Sequence, residues 1–353
     1  GGYRMSRFKK GFIAVATLVA VTMASSQQSS ASSSWSFTDD IANVGLTGVS
    51  PHVERNGSLD RVWYSGGPTG TSVADCSTAG TCTAVGANWG TPINDVTFAT
   101  FGGVKRAYFK KMDPMSGTQA VYSAPCLTAD CVSIGAATLT SEQMKVSSSM
   151  RAWGVPDAVE LPGGAGVRIY IVESPTMSSS CPEKVASYTS TDGVSFVKDA
   201  GYRFSKDGFV DTEILRATTG SWLMIMSDGP GCGNTQELYM SDSTDGLTWS
   251  NPVAITGSDK SRLDPTGYET SPGSNVFKVY FATSAGRQDM NFTIGSGTLK
   301  VAAASSSTAA TTAAKAKIGA TCTKAGAKAS ITISKKKTTL TCKTVKKKLV
   351  WSK

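Results

Sequence analysis

Five pairs of strand-like segments recur along the middle of the chain, and this repeat limits the possible folds more than any other feature. The first segments start at His52, Asp95, Asp157, Asp211 and Asp264, at intervals of 43, 62, 54 and 53 residues. A more apolar run rich in Val, Ile, Tyr, Phe and Trp follows each, and Gly, Pro, Asn, Asp and Ser separate the runs. Such runs predict antiparallel strands. Repeats of this length, with several strands each, predict five blades of a β-propeller.

The last repeat lacks a candidate for its fourth strand, while segment 35–44 precedes the first repeat and belongs to no other. We expect this segment to complete the last blade, because closing the ring removes exposed strand edges. An ordinary β-sandwich is the alternative, since sandwiches share short strands and frequent turns. The predicted fold class is therefore all-β, with a five-bladed β-propeller over residues 35–301 and a small disulfide-linked β module after it.

Residues 1–31 have the pattern of a secretory signal. Arg7, Lys9 and Lys10 precede an apolar run over residues 11–23, and small residues follow it. A membrane anchor is the alternative, but the run is shorter than the ~20 residues that span a bilayer. We expect a secreted or cell-envelope-associated protein with no transmembrane segment once the signal has been removed.

The eight cysteines fit an oxidising compartment. Three pairs are close in sequence, namely Cys76 with Cys82, Cys126 with Cys131, and Cys322 with Cys342, which leaves Cys181 and Cys232. Zinc is the rival interpretation of these cysteines. The chain has one histidine, His52, and no Cys-x-x-Cys pair, which argues against a metal site.

Charge divides the chain into two parts. Residues 315–353 hold twelve lysines and no acid, whereas the chain between the signal and this tail has 19 basic and 26 acidic residues, a net charge of −7. An acidic central domain argues against nucleic-acid binding. Residues 302–317 read as an Ala/Ser/Thr-rich linker.

The basic tail, residues 318–353, contains Cys322, Cys342 and the terminal Trp351. It resembles the small cysteine-paired C-terminal modules of secreted actinobacterial proteins. Its charge favours anionic surfaces, so an anionic cell-wall polymer or lipid headgroups are the expected partners, with improved solubility as the alternative.

Two segments share one pattern 53 residues apart: Ser190-Thr-Asp-Gly-Val-Ser-Phe196 and Ser243-Thr-Asp-Gly-Leu-Thr-Trp249. An Asp-Gly turn predicts a tight hairpin in which the carboxylate accepts local backbone N–H bonds. The aromatic residue is then expected to pack between neighbouring sheets. Asp192 and Asp245 are accordingly interpreted as structural residues.

These segments resemble a short form of the Asp-box of sialidase-like propellers. Val155-Pro-Asp-Ala-Val-Glu-Leu161 and Leu263-Asp-Pro-Thr-Gly-Tyr268 resemble inner strands of five-bladed glycosidases, the arabinanase and β-xylosidase group and its sialidase-annotated relatives. The resemblance covers roughly residues 35–301. It implies that inner strands project acids into a central site, with a base Asp on the first blade, an auxiliary Asp and a general-acid Glu. The first-blade position falls on Ser50-Pro51-His52, which has no acid.

Glycoside hydrolysis needs two carboxyl groups on opposite sides of the scissile bond. We expect Glu213 as the general acid, Asp157 as the base and Asp95 as a neighbour that adjusts their pKa values. The alternative is that these acids bond to strand-end amides and hold the blades in register. The complete set of catalytic candidates is Asp157, Glu213, Asp95, Asp211, Asp264 and His52.

Aromatic residues that flank the presumed inner strands are candidates for stacking on sugar rings: Trp63, Trp89, Trp153 and Tyr268. No Gly-rich phosphate loop or nucleophile elbow is present, and no cofactor or metal is expected. The sequence therefore predicts a secreted, glycosidase-like propeller that acts on or binds an extracellular polysaccharide. Alternatives are a non-catalytic glycan-binding or envelope-associated propeller and a protein-interaction platform.

Overall fold

A computed structural model describes residues 34–66, 70–86, 89, 93–112, 115, 118–144, 154–174, 180–302, 318, 321, 326, 328–333, 336–345 and 348–352. Within these residues, no helix is long and apolar enough to cross a membrane. The predicted signal peptide, most of the predicted linker, Trp153 and Cys322 lie outside the described residues.

The described residues form five four-stranded antiparallel sheets and one three-stranded sheet. Strand β1 (Ser34–Ile41) comes first and belongs to the last blade. Blade 1 contains β2 (Val49–Asn56), β3 (Leu59–Ser65), β4 (Thr71–Cys76) and β5 (Cys82–Val85); blade 2 contains β6 (Asn94–Phe101), β7 (Val104–Met112), β8 (Gln119–Pro125) and β9 (Thr138–Leu139). Blade 3 contains β10 (Asp157–Glu160), β11 (Val167–Glu173), β12 (Lys184–Ser190) and β13 (Val197–Lys198); blade 4 contains β14 (Phe209–Arg216), β15 (Trp222–Asp228), β16 (Leu238–Ser243) and β17 (Val253–Ala254).

Blade 5 contains β18 (Ser261–Glu269), β19 (Val276–Ser284) and β20 (Thr293–Ala302), with β1 as its outermost strand. Two short 3-10 turns, Glu142–Met144 and Pro162–Gly164, are the described helical segments. The predicted five-bladed propeller is confirmed. The predicted closure is also confirmed, because β1 pairs antiparallel with β20 from Ser34↔Ala302 to Ile41↔Ser296.

The core consists of five apolar clusters, and each lies between two neighbouring blades. Successive side chains of a strand point to opposite faces of its sheet, and each face of a blade is covered by the neighbouring blade on that side of the ring. Strand β15, for example, buries Leu223 and Ile225 towards blade 5 and Met224 and Met226 towards blade 3. The strands therefore read as nearly continuous apolar runs.

Each Asp-Gly segment forms a hairpin, as predicted, and it joins the third strand of its blade to the fourth. The Asp192 carboxylate accepts bonds from the backbone N–H groups of Val194 and Ser195, both 2.7 Å long. The turn also contacts the preceding blade, where the Tyr108 hydroxyl donates to the carbonyl of Gly193 at 2.7 Å. Phe196 packs edge-on against Tyr108 at 5.7 Å. The hairpin thus fastens blade 3 to blade 2.

The ring closes through an analogous contact between blades 5 and 1. The buried Asp60 carboxylate accepts bonds from the hydroxyls of Tyr268 and Tyr280, both at 2.7 Å, and from Arg55 at 3.0 Å. Because both tyrosines lie on blade 5 and Asp60 lies on blade 1, this carboxylate links the first and last sheets of the ring.

The described cysteines are all oxidised. Disulfides join Cys76 to Cys82 and Cys126 to Cys131, and a third bond links Cys181 in blade 3 to Cys232 in blade 4. The predicted presence of disulfides is confirmed, and the first two bonds join cysteines that are close in sequence. Cys342 is also disulfide-bonded.

The C-terminal region forms a separate sheet in the order β21 (Lys328–Ile333), β22 (Lys336–Val345) and β23 (Lys348–Ser352). Leu340 and Cys342 are buried on one face of β22. Lys343 and Lys348 are exposed.

Candidate active site

Four of the five inner strands contain the same backbone irregularity near their start. Ser50, Asp95, Asp211 and Asp264 have φ between 49° and 56°, and the pairing of each strand with its neighbour shifts register at this point. A positive φ is uncommon for residues other than glycine, although Asp tolerates it better than most. A β-bulge re-aims side chains, and bulges are frequent next to active sites. The bulges therefore indicate that a candidate site lies at the end of the ring where the inner strands start.

The bulged residues form what we call the upper tier. The three carboxyl groups of Asp95, Asp211 and Asp264 come from blades 2, 4 and 5, and each residue is between 5% and 8% exposed. The carboxyl groups of Asp211 and Asp264 are hydrogen-bonded to each other. In blade 1, the backbone N–H of Ser50 donates to Asp264 Oδ2 at 2.8 Å, and its hydroxyl donates to the same atom at 3.3 Å.

Residues of the second strands support the upper tier. Lys110 Nζ lies 2.5 Å from Asp95 Oδ2. The Ser227 hydroxyl donates to Asp211 at 2.8 Å, and the Ser65 hydroxyl accepts the backbone N–H of Asp95 at 3.2 Å. Each carboxyl group is thus held by a neighbouring strand or blade.

The upper tier favours retention of a proton on its paired carboxyl groups. Burial raises the pKa of Asp211 to about 6, with a further increase from the charge of Asp95, although hydrogen bonds from Ser227 and Asp264 oppose it. Burial, followed by the charges of Asp211 and Asp95, holds the pKa of Asp264 well above its usual range. Burial alone would lower the pKa of Lys110, but the charges of these three carboxylates raise it. The tier therefore combines an acid-bearing pair with a carboxylate in contact with an ammonium group.

A second set of inner-strand residues, the lower tier, lies two residues further along each strand: His52, Thr97, Asp157, Glu213 and Thr266. Asp157 is fully buried and accepts the Thr97 hydroxyl at 3.0 Å and the backbone N–H of Ile214 at 2.7 Å. The Thr266 hydroxyl donates to Glu213 at 3.0 Å and accepts the backbone N–H of Val53 at 3.2 Å. These bonds connect successive blades around the axis.

The two predicted catalytic acids, Asp157 and Glu213, are in contact in the lower tier. Burial raises the pKa of both groups, and the charge of Asp157 adds to the increase at Glu213. His52 Nδ1 lies 4.0 Å from Glu213 Oε2. Burial, with the positive charges of Arg216 and Lys105, lowers the pKa of His52 to about 3, so this imidazole is neutral near pH 7.

The structure separates the candidate residues into these two tiers. Asp95, Asp211 and Asp264 meet in the upper tier, while His52, Asp157 and Glu213 meet in the lower tier. Sequence reasoning missed Lys110 and the two serines of the second strands. Each lies two residues after the second-strand residue that pairs with a lower-tier residue. This equivalence is visible only once the strand register is known.

The three described aromatic candidates, Trp63, Trp89 and Tyr268, are engaged by other protein groups. Trp63 is 1% exposed and packs on Phe98 with ring centroids 4.7 Å apart, and Trp89 packs on Phe98 and Phe109. Neither ring presents an open face to a ligand in this arrangement. Tyr268 is half-buried, with its hydroxyl bonded to Asp60 at the blade 5 to blade 1 junction.

Two groups of described side chains carry atoms of the kind that bind metal ions. Cys181, Glu183 and Cys232 have donor atoms within 4.8 Å of one another, but the two cysteines share a disulfide, whereas metal binding requires thiolates. The upper-tier carboxylates are oxygen ligands of the type that hard cations prefer. There the Lys110 ammonium group already contacts Asp95 and supplies positive charge.

No protein-family model matches this chain, and no curated protein sequence matches it. Among solved structures, it is similar to the α-L-arabinofuranosidase of Podospora anserina in complex with cellotriose, with 9% identity, a TM-score of 0.55, and coverage of 76% of this chain and 98% of that one. The endo-arabinase of Bacteroides thetaiotaomicron has 10% identity and a TM-score of 0.52, covering 73% of this chain and 96% of that one. The GH62 α-L-arabinofuranosidase catalytic domain of Coprinopsis cinerea has 12% identity and a TM-score of 0.52, covering 77% and 98%. The chain therefore has the five-bladed β-propeller fold that these glycoside hydrolases share.

Proposed function

We propose that this protein is a glycoside hydrolase that acts on an extracellular polysaccharide through its upper tier. The observation that carries the proposal is the convergence of three carboxyl groups from different blades: the pKa values of Asp211 and Asp264 are raised, and the third group, Asp95, contacts Lys110. The structural neighbours are named as arabinan- and arabinoside-cleaving enzymes, which supports carbohydrate as the substrate class.

The proposed reaction needs an acid and a base near one glycosidic bond. The proton of the Asp211–Asp264 pair passes to the leaving oxygen, and Asp95 accepts a proton from the attacking water. The glycosidic C–O bond breaks, and the water supplies the hydroxyl of one product. A raised pKa lets the pair donate near neutral pH, since an ordinary Asp would already be ionised.

The lower tier gives the competing assignment, with Glu213 as acid and Asp157 as base. Asp157 accepts bonds from blades 2 and 4, which supports the alternative that it holds blades in register. The two assignments make different predictions for isosteric variants. Removal of the upper-tier acids should abolish turnover in a folded protein, whereas removal of Asp157 should first lower stability.

The test is turnover of aryl glycosides and arabinan-type, xylan-type and galactan-type polysaccharides, followed by reducing-end release. We expect Asp95→Asn, Asp211→Asn and Asp264→Asn to lower kcat/KM by about 10²–10⁴-fold, the usual contribution of general acid–base groups. Asp192→Asn, on the outer hairpin of blade 3, is the matched control and should retain wild-type turnover. Turnover retained in all three upper-tier variants would contradict the proposal. Binding of a polysaccharide with no turnover by the wild type would favour the non-catalytic alternative.

We further propose export from the cell and attachment to an anionic cell-wall polymer. The signal-like N-terminus and the oxidised cysteines support export. The lysine-rich tail, with Lys343 and Lys348 exposed, supports the attachment. Export is tested by the presence of the processed chain in the culture medium or envelope fraction; retention of the unprocessed chain in the cytoplasm would contradict it.

Attachment is tested by comparing the full chain with a chain that ends at residue 302 in envelope sedimentation. We expect the full chain to bind in low salt and to be released by high salt, because surface charges are screened. Equal binding of both chains at every salt concentration would contradict the attachment.

A further inference from the structure

Blade 3 contributes an apolar sector to the polar upper tier. Strand register aligns Asp157 with Thr97 and Glu213, since each pairs with an equivalent residue on the second strand. The upper-tier position of blade 3, two residues earlier, is therefore Val155. At this level the second strand of blade 3 supplies Val172, in the position that Lys110 occupies in blade 2.

A narrow cleft adjoins this sector between blades 2 and 3. Its volume is about 30 Å³, and its walls include Ala120, Val121, Met144 and Ile171. One or two water-sized groups would fill such a volume, so it is too small for a sugar ring. Lys110 lines the cleft and also contacts Asp95, which connects the cleft to the upper tier.

The charged groups at the rim already have protein partners. Glu173 accepts the Tyr188 hydroxyl and contacts Lys198, both at 2.5 Å, and the Lys110 ammonium group contacts Asp95 at the same distance. The remaining walls are aliphatic apart from Gln119, Gln143 and Tyr188. Gln143 Oε1 accepts the backbone N–H of Lys198 at 3.2 Å. A substituent that enters therefore gains apolar contact, while a hydroxyl gains less than it had in water.

We propose that this cleft is a specificity subsite for the C6 methyl group of a 6-deoxyhexose. The proposal rests on the proposed function, because it places the sugar ring over the upper tier and its methyl group against blade 3. The subsite favours the methyl group over the hydroxymethyl group of the parent hexose, which is larger by one oxygen and must lose hydration to enter.

The test compares binding of free sugars that differ only at C6, using calorimetric titration of the full chain. The matched pairs are L-fucose with L-galactose and L-rhamnose with L-mannose. We expect at least one 6-deoxy sugar to bind about 10-fold to 100-fold more tightly than its partner, the range that small groups contribute in hydrophobic pockets. Equal affinity within both pairs, or no binding of any of the four sugars, would overturn the proposal.

Two variants should change this preference in different ways. Ala120→Val fills the cleft and should remove the preference by lowering the affinity for the 6-deoxy sugar. Ile171→Val enlarges the cleft and should reduce the preference by raising the affinity for the parent hexose. Misfolding would lower the affinity for both sugars in both variants, and denaturant unfolding at equal protein concentration checks for it. A preference unchanged in both folded variants would overturn the location of the subsite.

Hydrolysis and subsite are separable by these measurements. A 6-deoxy preference in binding with no turnover of any glycoside would leave the subsite supported and the hydrolase proposal refuted. Turnover that depends on Asp264, together with equal affinities within both matched pairs, would support the hydrolase proposal and refute the subsite.

Discussion

Asp211→Asn is the substitution for which the structure gives the clearest expectation. Asp211 is 8% exposed, and its pKa is raised from 3.8 to about 6. A group whose pKa is raised on folding contributes stability that is fully present below its unfolded pKa and lost as the pH rises through its folded pKa. The wild type therefore loses stability between about pH 4 and pH 6 from this residue, and at pH 8 it bears the full cost of ionising it.

The size of this cost follows from the pKa difference of about two units. At 1.36 kcal/mol per unit, the cost at pH 8 is about 3 kcal/mol. Asparagine avoids it because its side chain is neutral. The Asn oxygen can accept the Ser227 hydroxyl that Asp211 accepts at 2.8 Å, and its amide N–H can donate to Asp264. We therefore expect the free energy of unfolding to rise by about 1–3 kcal/mol at pH 8, with little change at pH 4.

The assay is urea unfolding of wild type and variant at pH 4, 6 and 8, with turnover measured on the same preparations. A more stable protein that has lost activity is the combination expected of a functional carboxyl group held in an unfavourable site. Asp192→Asn is the control with the opposite sign, because hydrogen bonds from Ser195 and Val194 lower the pKa of Asp192 to about 2. A loss of stability at pH 8 in Asp211→Asn would refute the reasoning, since it would mean that the ionised carboxylate stabilises the fold.

Four further outcomes can be measured. Asp157→Ala should lower the free energy of unfolding by about 2–4 kcal/mol in urea, because it leaves two buried donors from neighbouring blades without an acceptor; an unchanged midpoint would contradict the register role. Lys110→Met should move the acidic limb of the pH–rate profile to higher pH, since it removes a positive charge from among three carboxyl groups; an unmoved limb would exclude this electrostatic role. Asp192→Ala should lower the free energy of unfolding by about 1 kcal/mol, as loss of a cap does. This loss should be present above pH 4 and disappear as the pH falls towards 2. The equivalent Asp245→Ala should have the same effect in thermal unfolding. Replacing both cysteines of a disulfide with serine should lower the free energy of unfolding through loop entropy, by about 4 kcal/mol for Cys181 and Cys232, 51 residues apart, and by about 2 kcal/mol for Cys126 and Cys131, five residues apart. Equal midpoint shifts in these two double variants would contradict this account.

Local chemistry explains why much of the fold could be predicted. The Asp-Gly hairpins, the disulfides within blades and the recurring strand pairs depend on residues close together in sequence. The closing strand could be inferred because one segment was left over and one blade was incomplete. The third strand of the C-terminal sheet was not predicted, and the paired strands β22 and β23 show that it exists.

The tiers could not be predicted, because their assignment depends on register. In the sequence, Asp157 begins its segment as Asp95 and Asp211 begin theirs, and the three look equivalent. Pairing shows instead that Asp157 is equivalent to Thr97, which lies two residues after Asp95. A two-residue offset keeps a side chain on the same face of a strand, so the apolar pattern gives no sign of it. Only the bulge, a feature of the paired strands, separates the two levels.

Blade 3, the blade without a bulge in its inner strand, also indicates how the bulge and the carboxyl group depend on each other. The four bulged strands have Asp or Ser at the position of positive φ, whereas blade 3 has Val155 there and pairs without a register shift from Asp157 onwards. A β-branched side chain is strongly disfavoured at positive φ, so valine opposes the bulge through the backbone itself. Asp accepts this conformation and gains hydrogen bonds from the adjoining blade, as Asp264 does from Ser50. An acid at the upper tier is therefore more than a charge placed on a strand: the same residue type permits the backbone conformation that directs it to the axis. For this reason, Asp95→Val should disturb the local pairing of blade 2 as well as remove a carboxylate, whereas Asp95→Asn should remove the charge alone.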